Sequence, residues 1–186
     1  MRKTTFFKLF RLYLWAIFPI YSFAQEAQTA NQDVLKNYME EVVLVGSTRF
    51  SVVFWNVYDI ALYAESTPYN ASPPYALEIQ YLRSISKEDL VTRSIELIEA
   101  QGFDDMSSLD TWQQQMLEVF PDVKKGTVLT GVYTSEGQST LYMDGLYIGT
   151  IEDPEFGQYF FDIWLGEDTS QPRMREDLIG ITDERT

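Results

Sequence analysis

The chain contains no histidine and no cysteine, and those two absences remove most of the usual catalytic chemistry. A Ser-His-Asp triad, a Cys-His dyad and an ordinary zinc site each need at least one of these residues. What remains are carboxylates, tyrosines and a few guanidinium groups. Asp104-Asp105, Glu152-Asp153 and Glu167-Asp168 are the paired acids. Two carboxylates can hydrolyse a glycoside or contribute to a calcium site. Adjacent acids in loops are more simply solvated, however, and none of these pairs follows a calcium-loop spacing. The expectation is a protein with neither metal nor cofactor.

The charge pattern narrows the partners. Fourteen basic residues stand against 28 acidic ones, a net charge of −14. Four of the bases (Arg2, Lys3, Lys8 and Arg11) precede the apolar run Leu12–Ile20, and Ser22-Phe23-Ala24 supplies small residues at the spacing of a cleavage site. A basic start, a short apolar core and a small-residue site describe a secretory signal peptide over residues 1–24. Nine apolar residues fall far short of the roughly 20 that a membrane-spanning helix needs. The expected product is periplasmic or secreted, with no stable membrane insertion after cleavage. It keeps ten bases against 28 acids, which repels phosphate backbones, so nucleic acid is not expected as a partner.

The elements that must position any site follow from periodicity. Residues 25–32 (QEAQTANQ) are small and polar and suit a flexible leader, so one folded domain is expected over 33–186. From Glu41 the chain is rich in β-branched and aromatic residues, interrupted by Gly46-Ser47-Thr48, and reads as two or three strands. Thr67–Pro74 is a proline-rich loop, and Tyr75–Leu82 is another strand. Ser86, with Asp89 three residues on, opens a helix that Gly102 stops. A second helix runs from about Ser108 to Phe120, ended by Pro121. Thr127–Thr134 and Ser139–Met143 return to period two, and Asp144-Gly145 is the hairpin signal leading into Leu146–Thr150. Asp153-Pro154 caps a helix whose aromatic stripe is Phe156, Tyr159, Phe160, Ile163 and Trp164. A last short helix covers about Pro172–Ile179. Grouped strands with adjacent helices argue an α+β fold with an antiparallel or mixed sheet.

The segments VGSTRFSVVFWNVYDIALYAE, LRSISKEDL, FPDVKKGTVLTGVYTSEG and YMDGLYIGTIEDPEFGQYFFDIWLGEDTSQPRMREDLIG resemble the bacterial chalcone isomerase-like family across residues 41–180. The order of Gly145, Gly149, Asp153, Phe156 and Ile163-Trp164-Leu165-Gly166 is the most specific part. The resemblance implies a large curved antiparallel sheet backed by a layer of helices, with a ligand cleft between them. Plant chalcone isomerases close a flavanone ring in such a cleft, and related fatty-acid-binding proteins hold a carboxylate lipid there.

The same resemblance nominates residues. Arg49 matches the family arginine, whose permanently charged guanidinium can grip a phenolate or a carboxylate. Tyr58 falls where the plant enzymes carry a ketone-polarising threonine, and Leu62-Tyr63 resembles their valine-tyrosine pair. Arg49, Tyr58 and Tyr63 are thus the candidate ligand-binding residues, with Arg49 and Tyr58 the candidates for catalysis. Ser86 lies at the plant catalytic tyrosine, Arg93 near the plant asparagine, and Ile163 at a second plant threonine where it can donate nothing. A plain reading stands beside each: Arg49 as a strand residue paired with an acid, the tyrosines and the stripe as core, Arg83 as a weaker second cation. The expected function is binding of a small hydrophobic or amphipathic acid. An isomerase acting on an enone and a protein-interaction module are the alternatives.

Overall fold

The computed structural model describes residues 33–181. The expected signal peptide and polar leader lie outside the described residues. The first described segment is a helical turn at 33–35.

Six strands follow in chain order: β1 (Val43–Val52), β2 (Trp55–Ala64), β3 (Tyr75–Tyr81), β4 (Val128–Tyr133), β5 (Ser139–Met143) and β6 (Leu146–Ile151). They form one antiparallel sheet in the order β1-β2-β3-β4-β5-β6. Four helices are interposed or appended: α1 (Lys87–Glu99) and α2 (Met106–Val119) between β3 and β4, then α3 (Pro154–Leu165) and α4 (Pro172–Leu178). This is the expected α+β architecture of a curved sheet with helices on one side.

Local chemistry accounts for most element boundaries. Ser86 Oγ accepts from the Asp89 backbone N–H at the start of α1. Asp105 and Asp153 do the same work for α2 and α3, Asp105 accepting from Ser107 and Asp153 from Glu155 and Phe156. Each satisfies backbone donors that a helix start would otherwise leave unpaired. Pro154 occupies the first turn of α3, where its missing N–H costs nothing. At Asp144-Gly145 both residues have positive φ, as the tight β5–β6 turn requires.

Alternation of side chains divides the sheet into two faces. Tyr58, Ile60 and Leu62 of β2 and Leu77, Ile79 and Tyr81 of β3 point toward the helices. There they meet Val91 and Ile98 of α1, Met116 of α2, and Phe156, Phe160 and Phe161 of α3. The intervening residues face the other way, where Tyr63, Ala76 and Val132 pack with Leu35 and Met39.

One departure from the sequence reading is instructive. Gly46 does not interrupt the strand; β1 runs through it with a register shift between Leu44 and Gly46. Its role is close approach: a Cβ built there would lie 2.1 Å from the Asp177 carbonyl oxygen and 2.6 Å from that of Leu178. The end of α4 therefore rests directly on the β1 backbone, and Thr48 donates from Oγ1 to Asp177 Oδ2 at 2.7 Å beside it. Gly46→Ala is expected to push α4 off the sheet and to cost about 1–3 kcal/mol, measurable as a lower urea midpoint.

Candidate functional site

Between the inner sheet face and the helices lies a cavity of about 310 Å³, at the small end of the range of about 300–1,000 Å³ typical of ligand sites. Its walls are mostly apolar: Leu77 and Ile79 from β3, Leu90 and Leu97 from α1, Phe160, Phe161 and Ile163 from α3, and Met174 from α4. The α3 stripe therefore splits. Phe160, Ile163 and Trp164 line the cavity, whereas Tyr159 packs with Phe103 and Trp112 away from it.

A few polar groups interrupt this lining. Tyr58 is held between Phe50, stacked at 5.0 Å between ring centroids, and Tyr81, edge-on at 6.1 Å. Its hydroxyl oxygen accepts from Trp164 Nε1 at 3.0 Å. Burial pushes the Tyr58 phenol up to about 12, against the opposing pull of that hydrogen bond and of the Arg93 charge. At any physiological pH Tyr58 is therefore a neutral hydroxyl, fit to donate a hydrogen bond and unfit to act as a base. Arg93 and Asp89 line the cavity from α1, the Arg93 side chain being 64% exposed. Of the five N–H donors of a guanidinium, Arg93 directs one to Glu96 at 2.9 Å.

Arg49 lies elsewhere. It stands opposite Asp59 in the β1–β2 register, while its neighbour Phe50 stands opposite Tyr58. Successive residues point to opposite faces, so the structure does not bring Arg49 and Tyr58 together. The Arg49 Nε and Nη2 groups donate to Asp59 Oδ1 and Oδ2, the latter at 2.8 Å. Hydrogen bonding and charge from Asp59 raise the Arg49 pKa further. Both residues border a shallow, open depression on the outer face, beside Glu78 and Gln80. Tyr63 borders the same depression from the opposite side of the sheet to the cavity, its phenol pushed up by burial and then by Glu78. Of the three nominated residues, only Tyr58 reaches the cavity between sheet and helices.

The other candidates have identifiable places. Ser86 is engaged in the α1 cap and also donates to Asp89 Oδ2 at 2.8 Å. The Arg83 guanidinium lies 5.8 Å from the Trp55 ring centroid. Asp105 and Asp153 are committed to helix caps, and Asp153 also accepts from Trp112 Nε1 at 2.9 Å. Among the described residues no cluster of three or more acids could hold a metal ion.

A family profile described as chalcone isomerase-like matches residues 24–180. The chain belongs to the chalcone isomerase-like family. An uncharacterized protein from Haemophilus influenzae is 22% identical over 139 residues, covering 74% of this chain and 68% of the other. A crystal structure of an Arabidopsis thaliana fatty-acid binding protein aligns with a TM-score of 0.59 at 12% identity, covering 75% of this chain and 87% of that one. At that identity the likeness shows the fold.

Within this chalcone isomerase-like domain, sequence reasoning missed Tyr81 and Trp164 as partners of Tyr58, and it noted Arg93 near the plant asparagine without naming it as a ligand-binding residue. Strand parity was the available signal. Tyr58, Leu77, Ile79 and Tyr81 all take the helix-facing phase, and Arg93 lies three residues after Leu90 on the cavity-facing side of α1.

Tyr69, Tyr75 and Tyr81 are also pushed upward, chiefly by burial. A phenol whose folded pKa exceeds its unfolded value near 10 stays protonated when folded while the unfolded chain ionises. Stability is then lost as pH rises above about 10, at roughly 1.4 kcal/mol per pH unit for each such group until its folded pKa is reached. Circular dichroism against pH is expected to show unfolding that begins above about pH 10 and coincides with phenolate absorbance.

Proposed function

We propose that the protein binds a small amphipathic acid, with its apolar part in the cavity and its carboxylate beside Tyr58 and Arg93. The observation that carries this reading is a largely apolar cavity lined by a neutral tyrosine donor from the sheet and a guanidinium from α1. The Tyr58 hydroxyl and the N–H groups of Arg93 supply donors for an oxyanion. Each methylene taken from water contributes about 0.8 kcal/mol, so chain length governs affinity once the head is placed. The fatty-acid binding protein with the similar fold supports this choice of ligand class. The expected signal peptide supports an exported protein that meets its ligand outside the cytoplasm.

Binding is favoured over isomerisation of an enone. Ser86 is occupied by the α1 cap, and Ile163 brings a hydrocarbon wall where the plant enzymes place a donor. An enolate developing in this cavity would find few donors beyond Tyr58 and Arg93, and such donors are worth about 3–4 kcal/mol each in barrier.

Native mass spectrometry after incubation with saturated fatty acids of increasing length tests the proposal. A one-to-one complex that tightens with chain length and then stops at the cavity's limit is expected. Absence of any complex would refute the reading. Arg49→Ala is expected to leave both this affinity and the melting temperature essentially unchanged, because its exposed pair with Asp59 lies on the outer face.

A further inference from the structure

The β1–β2 connection is the most apolar exposed feature among the described residues. Val53, Phe54 and Trp55 are 82%, 93% and 67% exposed, and Val52 is half exposed. The turn places Val53 at φ 56, a left-handed conformation that glycine or asparagine adopts easily and a β-branched residue does not. An apolar side chain thus occupies a position where both turn chemistry and water favour something else. Between Glu41 and Asp59 the sequence contains no acidic residue, although the chain as a whole is strongly acidic. The nearby cation is Arg83, over the Trp55 ring.

This tip continues directly into the cavity wall. Phe50 on the ascending strand and Val57 and Tyr58 on the descending one line the cavity. Since β3 pairs with β2 to Tyr81 opposite Tyr58, with one further backbone bond from the Leu82 N–H to the Val57 carbonyl, the hairpin extends beyond the rest of the sheet. A protruding apolar tip therefore stands beside the Tyr58 part of the cavity.

We infer that the Val52–Trp55 tip docks the protein on a lipid bilayer surface, so that an amphipathic acid passes between the bilayer and the cavity along the Phe50–Tyr58 wall. The passage rests on the proposed ligand; the docking does not. A bilayer fits the dimensions better than a protein partner does. Phe54 and Trp55 together offer about 300–500 Å², whereas a stable protein pair takes roughly 800 Å² from each side. A narrow convex tip has no broad face for a second copy, but it enters a fluid apolar phase without needing a complementary shape. Tryptophan with an adjacent guanidinium also suits the boundary between acyl chains and head groups. The net negative charge argues for a zwitterionic surface. No helix among the described residues is long and apolar enough to cross a membrane, so the contact is peripheral.

The protein, as the cell processes it, is floated with ligand-free phosphatidylcholine vesicles. Wild type is expected to float, and Phe54→Ser/Trp55→Ser to bind on the order of a hundredfold more weakly. Met106→Ser, at the far end of α2 from the α1 N-terminus and also exposed, is expected to float like wild type. Flotation of the double variant at the wild-type level, or none by the wild type, overturns the docking. So does a wild-type dimer that the double substitution dissolves, which would assign the tip to a second copy. Fatty-acid binding measured without vesicles is expected to be equal in all three proteins. If it is absent while tip-dependent flotation persists, the cavity reading fails and the docking stands.

Discussion

Tyr58→Phe is expected to weaken binding of a long-chain carboxylic acid by roughly ten- to a hundredfold, the effect of one lost hydrogen bond to a charged group at about 1.5–3 kcal/mol. The substitution keeps the ring against Phe50 and Tyr81 and removes only the hydroxyl, so the apolar enclosure is retained. Trp164 Nε1 loses its acceptor at the same time, and leaving that N–H unpaired costs stability of about 1–3 kcal/mol. Affinity should therefore be measured well below the variant's melting temperature. A matched titration with a fatty alcohol of equal length separates the contributions. The acid is expected to lose more than the alcohol, because the charged head group depends more on the donor. Equal losses for both would place the head group away from Tyr58.

Trp112→Ala is expected to be the most damaging single substitution for stability, at about 3–5 kcal/mol. Trp112 is fully buried, stacked on Phe103 at 4.6 Å and edge-on to Phe156 at 5.8 Å. Its indole N–H also donates to Asp153, the residue that caps α3. Removal thus opens a large void between α2 and α3 and takes a partner from the α3 cap. Chemical denaturation monitored by circular dichroism gives the number directly. Trp112→Phe is expected to recover most of the packing but not the hydrogen bond, so the difference between the two variants measures the packing and the shortfall of Trp112→Phe from wild type measures the link to the cap.

The elements were largely legible because their boundaries are set by local chemistry. Ser86 with Asp89, Asp153 with Pro154, and Asp144 with Gly145 each satisfy or bend the backbone within a few residues, and each was readable without tertiary information. The β1–β2 turn was not readable, because Val53-Phe54 carries none of the residues that mark a tight turn. Gly46 misled for the converse reason: its glycine serves a contact with α4, more than a hundred residues away in sequence. The candidate site was legible only in part, and the missing turn explains why. Without its position, the register of β1 on β2 was undetermined, and so was the face on which Arg49 lies. The family resemblance supplied a residue type that could grip an anion, but it did not supply the strand phase that directs Arg49 to Asp59. Arg93 sits on a helix whose cavity-facing side depends on how α1 packs, which periodicity alone does not give.

The correspondence between strand order and chain order has a consequence for biogenesis. A polypeptide emerging from its N-terminus can add each strand to the one just made, so the sheet needs no segment from a distant part of the chain. The enclosure is different, since α3 and α4 supply one wall and Gln171 and Met174 belong to the last described helix region. Until that region arrives, the helix-facing side of the sheet is incompletely covered. The sheet can thus be built progressively, but the cavity is completed only when α4 settles onto Gly46 of the first strand.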